Sequence, residues 1–431
     1  MLFAIIIAAA TCLMMILAVL FFPKFKIWRF SVSTYWVITL IGAVCLLVSG
    51  TVSPKSVGSA LITDTAINPV KILILFISMT IMSIFLDELG FFSYLANWSL
   101  KHAGTSQTRL FILLYVTVSV LTVFTSNDII ILSFTPFVCY FAKNAHIDPT
   151  PYLAGEFIAA NTWSMALIIG NPTNIYLVTA AGGDFVSYVK VMLVPTLVAG
   201  IVSGVCLFAM FFKKFSVSIT ASPDDVKIAD KTSLWIGVVH LVACTLALAF
   251  SSYIGIEMWL ISFVSVLSLL FCNVLAALIR KKNTGFLPSC LKRAPWELIP
   301  FVISMFVIVE GLGVTGVTDK IFEILGDSYS TWKYGVSSFI ASNFINNIPM
   351  SVLYSSILAN SPSNLSAVYA TVVGSNLGAC LTPIGALAGI MWVSILKEHG
   401  LKFGYIDFLK VGGAIAIPSL VSALGILGLI L

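Results

Sequence analysis

The chain predicts an all-α polytopic membrane protein: about ten to twelve spans in two inverted-topology repeats, each with a re-entrant hairpin and a broken helix. Three observations lead there. Apolar runs near the roughly 20 residues that cross a bilayer recur from end to end. Charged residues make up only 10% of the 431, against about 25% in a soluble domain. Amide-rich, backbone-breaking strings interrupt the apolar sequence in each half, where hydrocarbon would penalise every unpaired amide.

Taken in order, the runs are Leu2 to Phe22, Tyr35 to Gly50, Ile72 to Leu86 and Leu110 to Phe124. Val191 to Phe212, Leu234 to Phe250, Met258 to Ile279, Ile299 to Val309 and Phe408 to Leu431 follow. No small-residue cleavage pattern follows the first run, so it reads as a spanning helix and not as a removed signal peptide. Hydrophobic residues reach 59% and mean hydropathy is +1.06, which excludes a water-soluble globule. The polar stretch around 213–232 divides the chain into a first repeat with N-terminal helices, 1–212, and a second repeat, 233–431.

Basic residues near span ends set the orientation. Lys24, Lys26 and Arg29 put the first loop in the cytoplasm and the N-terminus outside. Arg280, Lys281, Lys282, Lys292 and Arg293 mark a second cytoplasmic loop, and the base-free Ser251 to Glu257 turn lies outside. The linker, with Lys213, Lys214, Lys227 and Lys231 against Asp224, Asp225 and Asp230, falls in the cytoplasm. Asp87-Glu88-Leu89-Gly90-Phe91 resembles Val309-Glu310-Gly311-Leu312-Gly313 about 220 residues later. Lys101, His102 and Arg109 follow the first string, whereas Asp319, Glu323 and Asp327 follow the second. Opposite sides for equivalent segments mean inverted repeats. The net charge of +5 belongs to these loops and implies no nucleic-acid partner. Trp28, Trp36, Trp98, Trp296 and Trp332 lie near span ends and read as interfacial anchors.

The interruptions carry the chemistry. Ser126-Asn127-Asp128, followed by Thr135-Pro136, reads as the turn and second arm of a hairpin. Its amide and hydroxyl oxygens suit a small cation or a hydroxylated solute, although Asn127 alone could simply cap a broken helix. Asp128 is an intramembrane carboxylate, a functional candidate by default and the expected coupling acid; a carboxylate satisfied by backbone amides is the plainer alternative. Gly170-Asn171-Pro172-Thr173-Asn174 has no side chain at Gly170 and no amide hydrogen at Pro172, so the chain there should be unwound with carbonyls free for ligands. Asn346-Asn347-Ile348-Pro349, Asn376 and Thr382-Pro383-Ile384-Gly385 repeat the pattern in the second half. The candidate binding set is Ser126, Asn127, Asp128, Asn171, Thr173, Asn174, Asn346, Asn347, Asn376 and Thr382.

Other residues read more plainly. Glu310 faces either a cavity or an outer surface, while Glu88 and Glu156 read as interfacial or structural. The eight cysteines form no Cys-x-x-Cys pair and read as small core residues. His102, His146, His240 and His399 lack metal-ligand spacing, so neither a metal nor a cofactor is expected beyond a coupling proton or sodium ion. No Gly-x-x-x-x-Gly-Lys-Ser/Thr string is present, so this chain does not itself hydrolyse ATP, and no nucleophile–base arrangement suggests an enzyme. A passive channel stays open as an alternative, but two halves of opposite polarity suit alternating access better.

Along nearly its whole length the sequence resembles the ArsB-type arsenical pump membrane proteins. These sit within the ion transporter superfamily that also holds sodium/proton antiporters and citrate or dicarboxylate carriers. The likeness runs through Leu86-Asp87-Glu88 before Gly90-Phe91-Phe92, Asn127-Asp128 before Thr135-Pro136, and Arg293-Ala294-Pro295-Trp296. It continues in Asn346-Asn347-Ile348-Pro349, Asn376-Leu377-Gly378, Thr382-Pro383-Ile384-Gly385-Ala386-Leu387-Ala388 and Trp392. The resemblance implies a scaffold plus an elevator-type transport domain, a homodimer in the plasma membrane and, for an arsenical pump, an ATPase subunit as partner. It implies arsenite or antimonite efflux against inward proton flow, with a sodium- or proton-coupled anion carrier and a sodium/proton antiporter as alternatives. The chain departs from the pumps where Asn161 and Asn376 stand in place of aspartate, which leaves Asp128 as the main coupling charge. Its Gly170-to-Asn174 string is closer to the sodium-linked and anion-carrier members. The duplicated Ser-Asn-Thr pattern of the dicarboxylate carriers is absent.

Overall fold

The computed structural model describes the chain apart from residues 23, 28–29, 64–67, 217, 220–227, 282–285 and 362–363. Trp28, Arg29, Asp224, Asp225, Lys227 and Lys282, read above as anchor, topology signals and linker, lie outside the described residues. Among the described residues, eight helical stretches are long and apolar enough to cross a membrane. Their starts follow local rules. Asn68 accepts from the Val70 and Lys71 amides ahead of Pro69, and Asp184 accepts from Val186 and Ser187, so each satisfies amides that the first helical turn leaves unpaired.

From Pro69 the order is a long apolar helix (Pro69–Glu88), a short helix (Phe91–Ala103) and a helix pair (Gln107–Phe124, Asn127–Asn144). Then come Thr150–Trp163, a break, Pro172–Ala180 and the long Phe185–Phe211. The same order returns with Leu298–Val314, Val317–Leu325, the pair Ser330–Ile345 and Asn347–Leu358, then Leu365–Gly378, a break, Leu387–Glu398 and Tyr405–Ile430. Each short helix follows a glycine in the left-handed region, Gly90 at φ 80° and Gly316 at φ 74°, where a Cβ would be strained.

Packing between the halves is reciprocal. Asn127–Asn144 lies against Leu387–Glu398, and Asn347–Leu358 lies against Pro172–Ala180. Each half therefore packs its hairpin arm on the other half's broken helix. The window of Pro69–Glu88 is 83% buried, while that of the first helix is only 17% buried. Pro69–Glu88 is thus a central strut, and the apolar outer face of Leu2–Phe21 is left for lipid.

One feature corrects the all-α expectation. The basic loop after the first helix is a small antiparallel hairpin, Lys24–Ile27 with Phe30–Ser33, paired Lys24 to Ser33 and Ile27 to Phe30. The period-two alternation Lys24-Phe25-Lys26-Ile27 suits a strand better than a coil.

Two arginines tie loops together. Arg293 donates to Asp87 Oδ2 and Glu88 Oε1, both at 2.6 Å, while Arg280 pairs with Asp230 at 2.8 Å. Asp230 also caps Lys231–Ala249 through the Thr232 amide, 3.2 Å away. The Arg280 guanidinium pulls its carboxyl down to about 2. Stabilisation by this group is therefore complete above the ordinary carboxylate range and fades as pH falls through about 2. Asp230→Ala should cost about 1–2 kcal/mol at neutral pH, from the lost cap and ion pair. Thermal unfolding in detergent should show a gap from wild type that narrows on acidification.

Candidate functional site

Gln107–Phe124 stops where Thr125 turns its hydroxyl back on the helix and Ser126 leaves the helical conformation. The Thr125 hydroxyl donates back to Leu121 O at 2.8 Å, and Ser126 is extended. Asn127 then opens the next helix, buried, with Nδ2 donating to Asn161 Oδ1 at 3.1 Å. Asn161 is held in turn by its own Nδ2 on Phe157 O at 2.9 Å.

The second break opens directly past Trp163, with Ser164 as the helix C-cap. Ile168–Gly170 forms a single 3₁₀ turn, and a Cβ at Gly170 would fall 2.2 Å from Ser164 O. Asn171 is extended and caps Pro172–Ala180 through the Thr173 amide at 3.2 Å. Across some two hundred residues of sequence, Asn376 joins this turn. Its Oδ1 accepts from Ser164 Oγ at 2.8 Å and from Asn171 Nδ2 at 2.9 Å. Its Nδ2 donates to Asn174 Oδ1 at 2.7 Å and to Val372 O at 2.8 Å. The Thr173 hydroxyl is buried, 3.5 Å from Asn174 Oδ1, at the limit of hydrogen-bond reach.

The expectation of free carbonyls at this break is corrected. Asn174 Nδ2 donates to Ser164 O at 2.8 Å and Leu167 O at 3.1 Å, so two carbonyls opened by the break are already satisfied. A buried orphan acceptor costs about 1–3 kcal/mol, and the Asn174 side-chain amide, from the far side of the break, removes that cost.

The second half is closed in the same manner. Asn346, at φ 70°, donates from Nδ2 to Ile384 O at 2.9 Å and caps Ile348. The Asn347 amide donates to Gly385 O at 2.9 Å. Thr382 donates its hydroxyl proton to Asn343 Oδ1 at 2.6 Å, while Asn343 Nδ2 reaches Gly378 O at 3.0 Å. The predicted residues thus form two groups. Asn171, Asn174 and Asn376 meet at one hub, with Asn127 paired on the adjoining helix. Asn346, Asn347 and Thr382 sew the second hairpin tip to its own break, and no hydrogen bond among the described residues joins them to the hub. Asp128 is half-buried on the first helical turn, with no hydrogen bond or ion pair among the described residues.

Four buried oxygens around these groups lack a partner in the protein: Ser126 Oγ, Asn127 Oδ1, Thr162 Oγ1 and Ser375 Oγ. Thr162, Ser164, Ser375 and Asn343 were not predicted; three of them sit next to or within three residues of Asn161 or Asn376, a local signal that was available. Glu156, read as interfacial or structural, is only 3% exposed and hence interior. His240 is hydrogen-bonded to Ile236 O and Ser268. The Cys380 thiol lies 3.9 Å from Asn376 O. Among the described residues no cationic side chain bonds to the hub, and no cluster of His, Cys, Asp or Glu could hold a metal. What the arrangement offers is neutral: amide and hydroxyl donors and acceptors in a closed interior. A cavity of about 310 Å³ begins one residue beyond Asn174, at Ile175 and Thr179, and runs toward Lys71, Glu257 and Trp259.

A family model described as citrate transporter matches residues 16–370. The chain belongs to the citrate transporter family. Its relatives within that frame are more specific in name. The arsenical pump membrane protein of Escherichia coli strain K12 is 28% identical over 445 residues, covering 98% of both chains. The arsenical pump membrane protein of Yersinia enterocolitica is 26% identical over 372 residues, covering 82% of this chain and 85% of the other. The YdaH transporter of Alcanivorax borkumensis shares the fold, with a TM-score of 0.57 over 99% and 97% of the two chains at 11% identity. This citrate transporter family member is a multi-pass helical membrane protein and a secondary transporter, of the ArsB type by its relatives.

Proposed function

We propose that this transporter exports arsenite or antimonite from the cytoplasm in exchange for protons. The observation that carries the reading is the neutrality of the Asn376 hub. Arsenite near neutral pH is a small uncharged trihydroxide, and amides with hydroxyls match its donors and acceptors without a charge to neutralise. A citrate-like anion is the second reading, favoured by the family's description, but a multiply charged carboxylate calls for arginine or lysine, and among the described residues the hub bonds to neither.

The recurring order of elements suits two repeats of opposite orientation, 1–212 and 233–431, working as a scaffold with an elevator-type transport domain. A plasma-membrane homodimer with its N-terminus outside completes this reading, and an ATPase subunit could attach on the cytoplasmic side. The deciding experiment uses purified protein in liposomes, with arsenite, antimonite and citrate offered under imposed proton or sodium gradients. Arsenite accumulation that follows the pH gradient supports the proposal; sodium-driven citrate uptake, or conductance without accumulation, refutes it. Asp128→Asn should lower gradient-driven arsenite accumulation roughly tenfold while leaving exchange at equal pH largely intact. Unchanged dependence on the gradient would remove Asp128 from coupling.

A further inference from the structure

Glu156 sits at the middle of Thr150–Trp163, the helix that ends at the Ser164 and Asn171 break. It is 3% exposed. One carboxyl oxygen accepts from Thr135 Oγ at 2.8 Å, and the other, Oε2, is buried with no partner. Thr135 stands directly before Pro136, inside the hairpin arm Asn127–Asn144. The same two antiparallel helices are therefore stapled twice, by Asn127 with Asn161 near the site and by Thr135 with Glu156 about 10 Å further along them.

Among the described residues, no cation answers this carboxyl. The Cys139 thiol lies one helical turn beyond Thr135 on the same arm. On the other elements packed against the helix, Arg109, Lys143, Lys190, Asp407 and Lys410 are all exposed. Tyr115 is committed to Gly200 O and Ser203, Tyr152 to Gln107 and Tyr188 to Met165 O. Tyr369 is buried against the Tyr188 ring. An ionised carboxylate with an empty oxygen is among the costliest groups to hold in an interior, and such acids inside membrane helices mark ion and proton pathways.

We propose that Glu156 is a proton-binding site of the transport cycle, carrying its proton in this closed arrangement and releasing it when the two helices part. Thr135 orients the acid by donating to one oxygen, which leaves the hydroxyl of the protonated acid on Oε2 free to pass its proton to incoming water. The proposal rests on the proton-coupled reading above and adds a second titrating group to Asp128.

The experiment is transport by the full-length protein in liposomes, comparing wild type with Glu156→Gln, which keeps the acceptor for Thr135 and removes the exchangeable proton. Arsenite/arsenite exchange at symmetrical pH should stay within about twofold, while the acceleration given by an imposed pH gradient should fall roughly tenfold or more. Glu156→Asp should recover part of it. Infrared spectra supply a readout free of any substrate: a protonated carboxylic acid carbonyl band in wild type at neutral pH, displaced in Glu156→Asp and missing from Glu156→Gln. A full gradient response in Glu156→Gln, or a wild type without that band, overturns the proposal. Wild type that carries the band but moves neither arsenite nor antimonite overturns the substrate assignment and leaves the proton site standing.

Discussion

Asn376→Ala should abolish transport and lower stability by roughly 3–6 kcal/mol, the largest effect expected of any single side chain here. The substitution removes four hydrogen bonds at once. Ser164 Oγ and Asn171 Nδ2 lose their acceptor, and Asn174 Oδ1 and Val372 O lose a donor. All four lie in the interior, where each stranded polar group costs about 1–3 kcal/mol. The loss is also topological. Asn376 is the bridge between the broken helix of the first half and Leu365–Gly378 of the second, so without it the two halves keep only packing between them at this point. Asn376→Asp retains the acceptor but strands the Asn174 oxygen opposite a carboxylate. Thermal unfolding in detergent and arsenite flux in liposomes measure the two consequences separately. Near-wild-type flux in Asn376→Ala would show that the hub does not organise the site.

Gly374→Ala should be nearly as damaging, by overpacking instead of by lost bonds. Ser330–Ile345 and Leu365–Gly378 meet along Gly374 and Gly378 so closely that the backbones nearly touch. A Cβ at Gly374 would lie 2.1 Å from Ser338 Oγ and 2.2 Å from the Gly335 carbonyl oxygen. The hydroxyl can rotate away; the carbonyl cannot move unless the helices separate. That displacement should cost about 3 kcal/mol and shift Asn376, two residues along, out of register with Asn171. Gly425→Ala is the matched control, since a Cβ there meets nothing within 4 Å. Equal unfolding midpoints for the two variants would rule out close helix contact as the role of Gly374.

Much of this was readable in advance, for identifiable reasons. Membrane spans announce themselves because hydrocarbon demands long uninterrupted apolar stretches, and Met258–Ile279 matches its predicted run at both ends. The breaks were equally legible: Thr125-Ser126-Asn127 and Asn171-Pro172 are poor helix interiors and good caps wherever they occur. The small-residue spacing of Gly374 and Gly378 was also present in the string, although its partner helix could not be named. The short helices Phe91–Ala103 and Val317–Leu325 were missed because they are amphipathic and too brief for a hydropathy window.

Which amide faces which was not legible. Asn171 and Asn376 are separated by two hundred residues, and nothing in either string states that one donates to the other. Whether Glu156 is interfacial or structural was undecided for the same reason: burial of a carboxyl depends on what the Phe185–Phe211 and Tyr405–Ile430 helices place around it. Sequence by itself determined the solvent of this protein, its helices and the points where they break, because propensity, capping and transfer from water act over a few residues. Only the tertiary structure decided that the asparagines satisfy one another and the carbonyls around them, leaving Ser126, Asn127, Thr162 and Ser375 oxygens unpaired. Hydrogen bonds in a low-dielectric interior are settled by distances of tenths of an ångström between segments far apart in the chain.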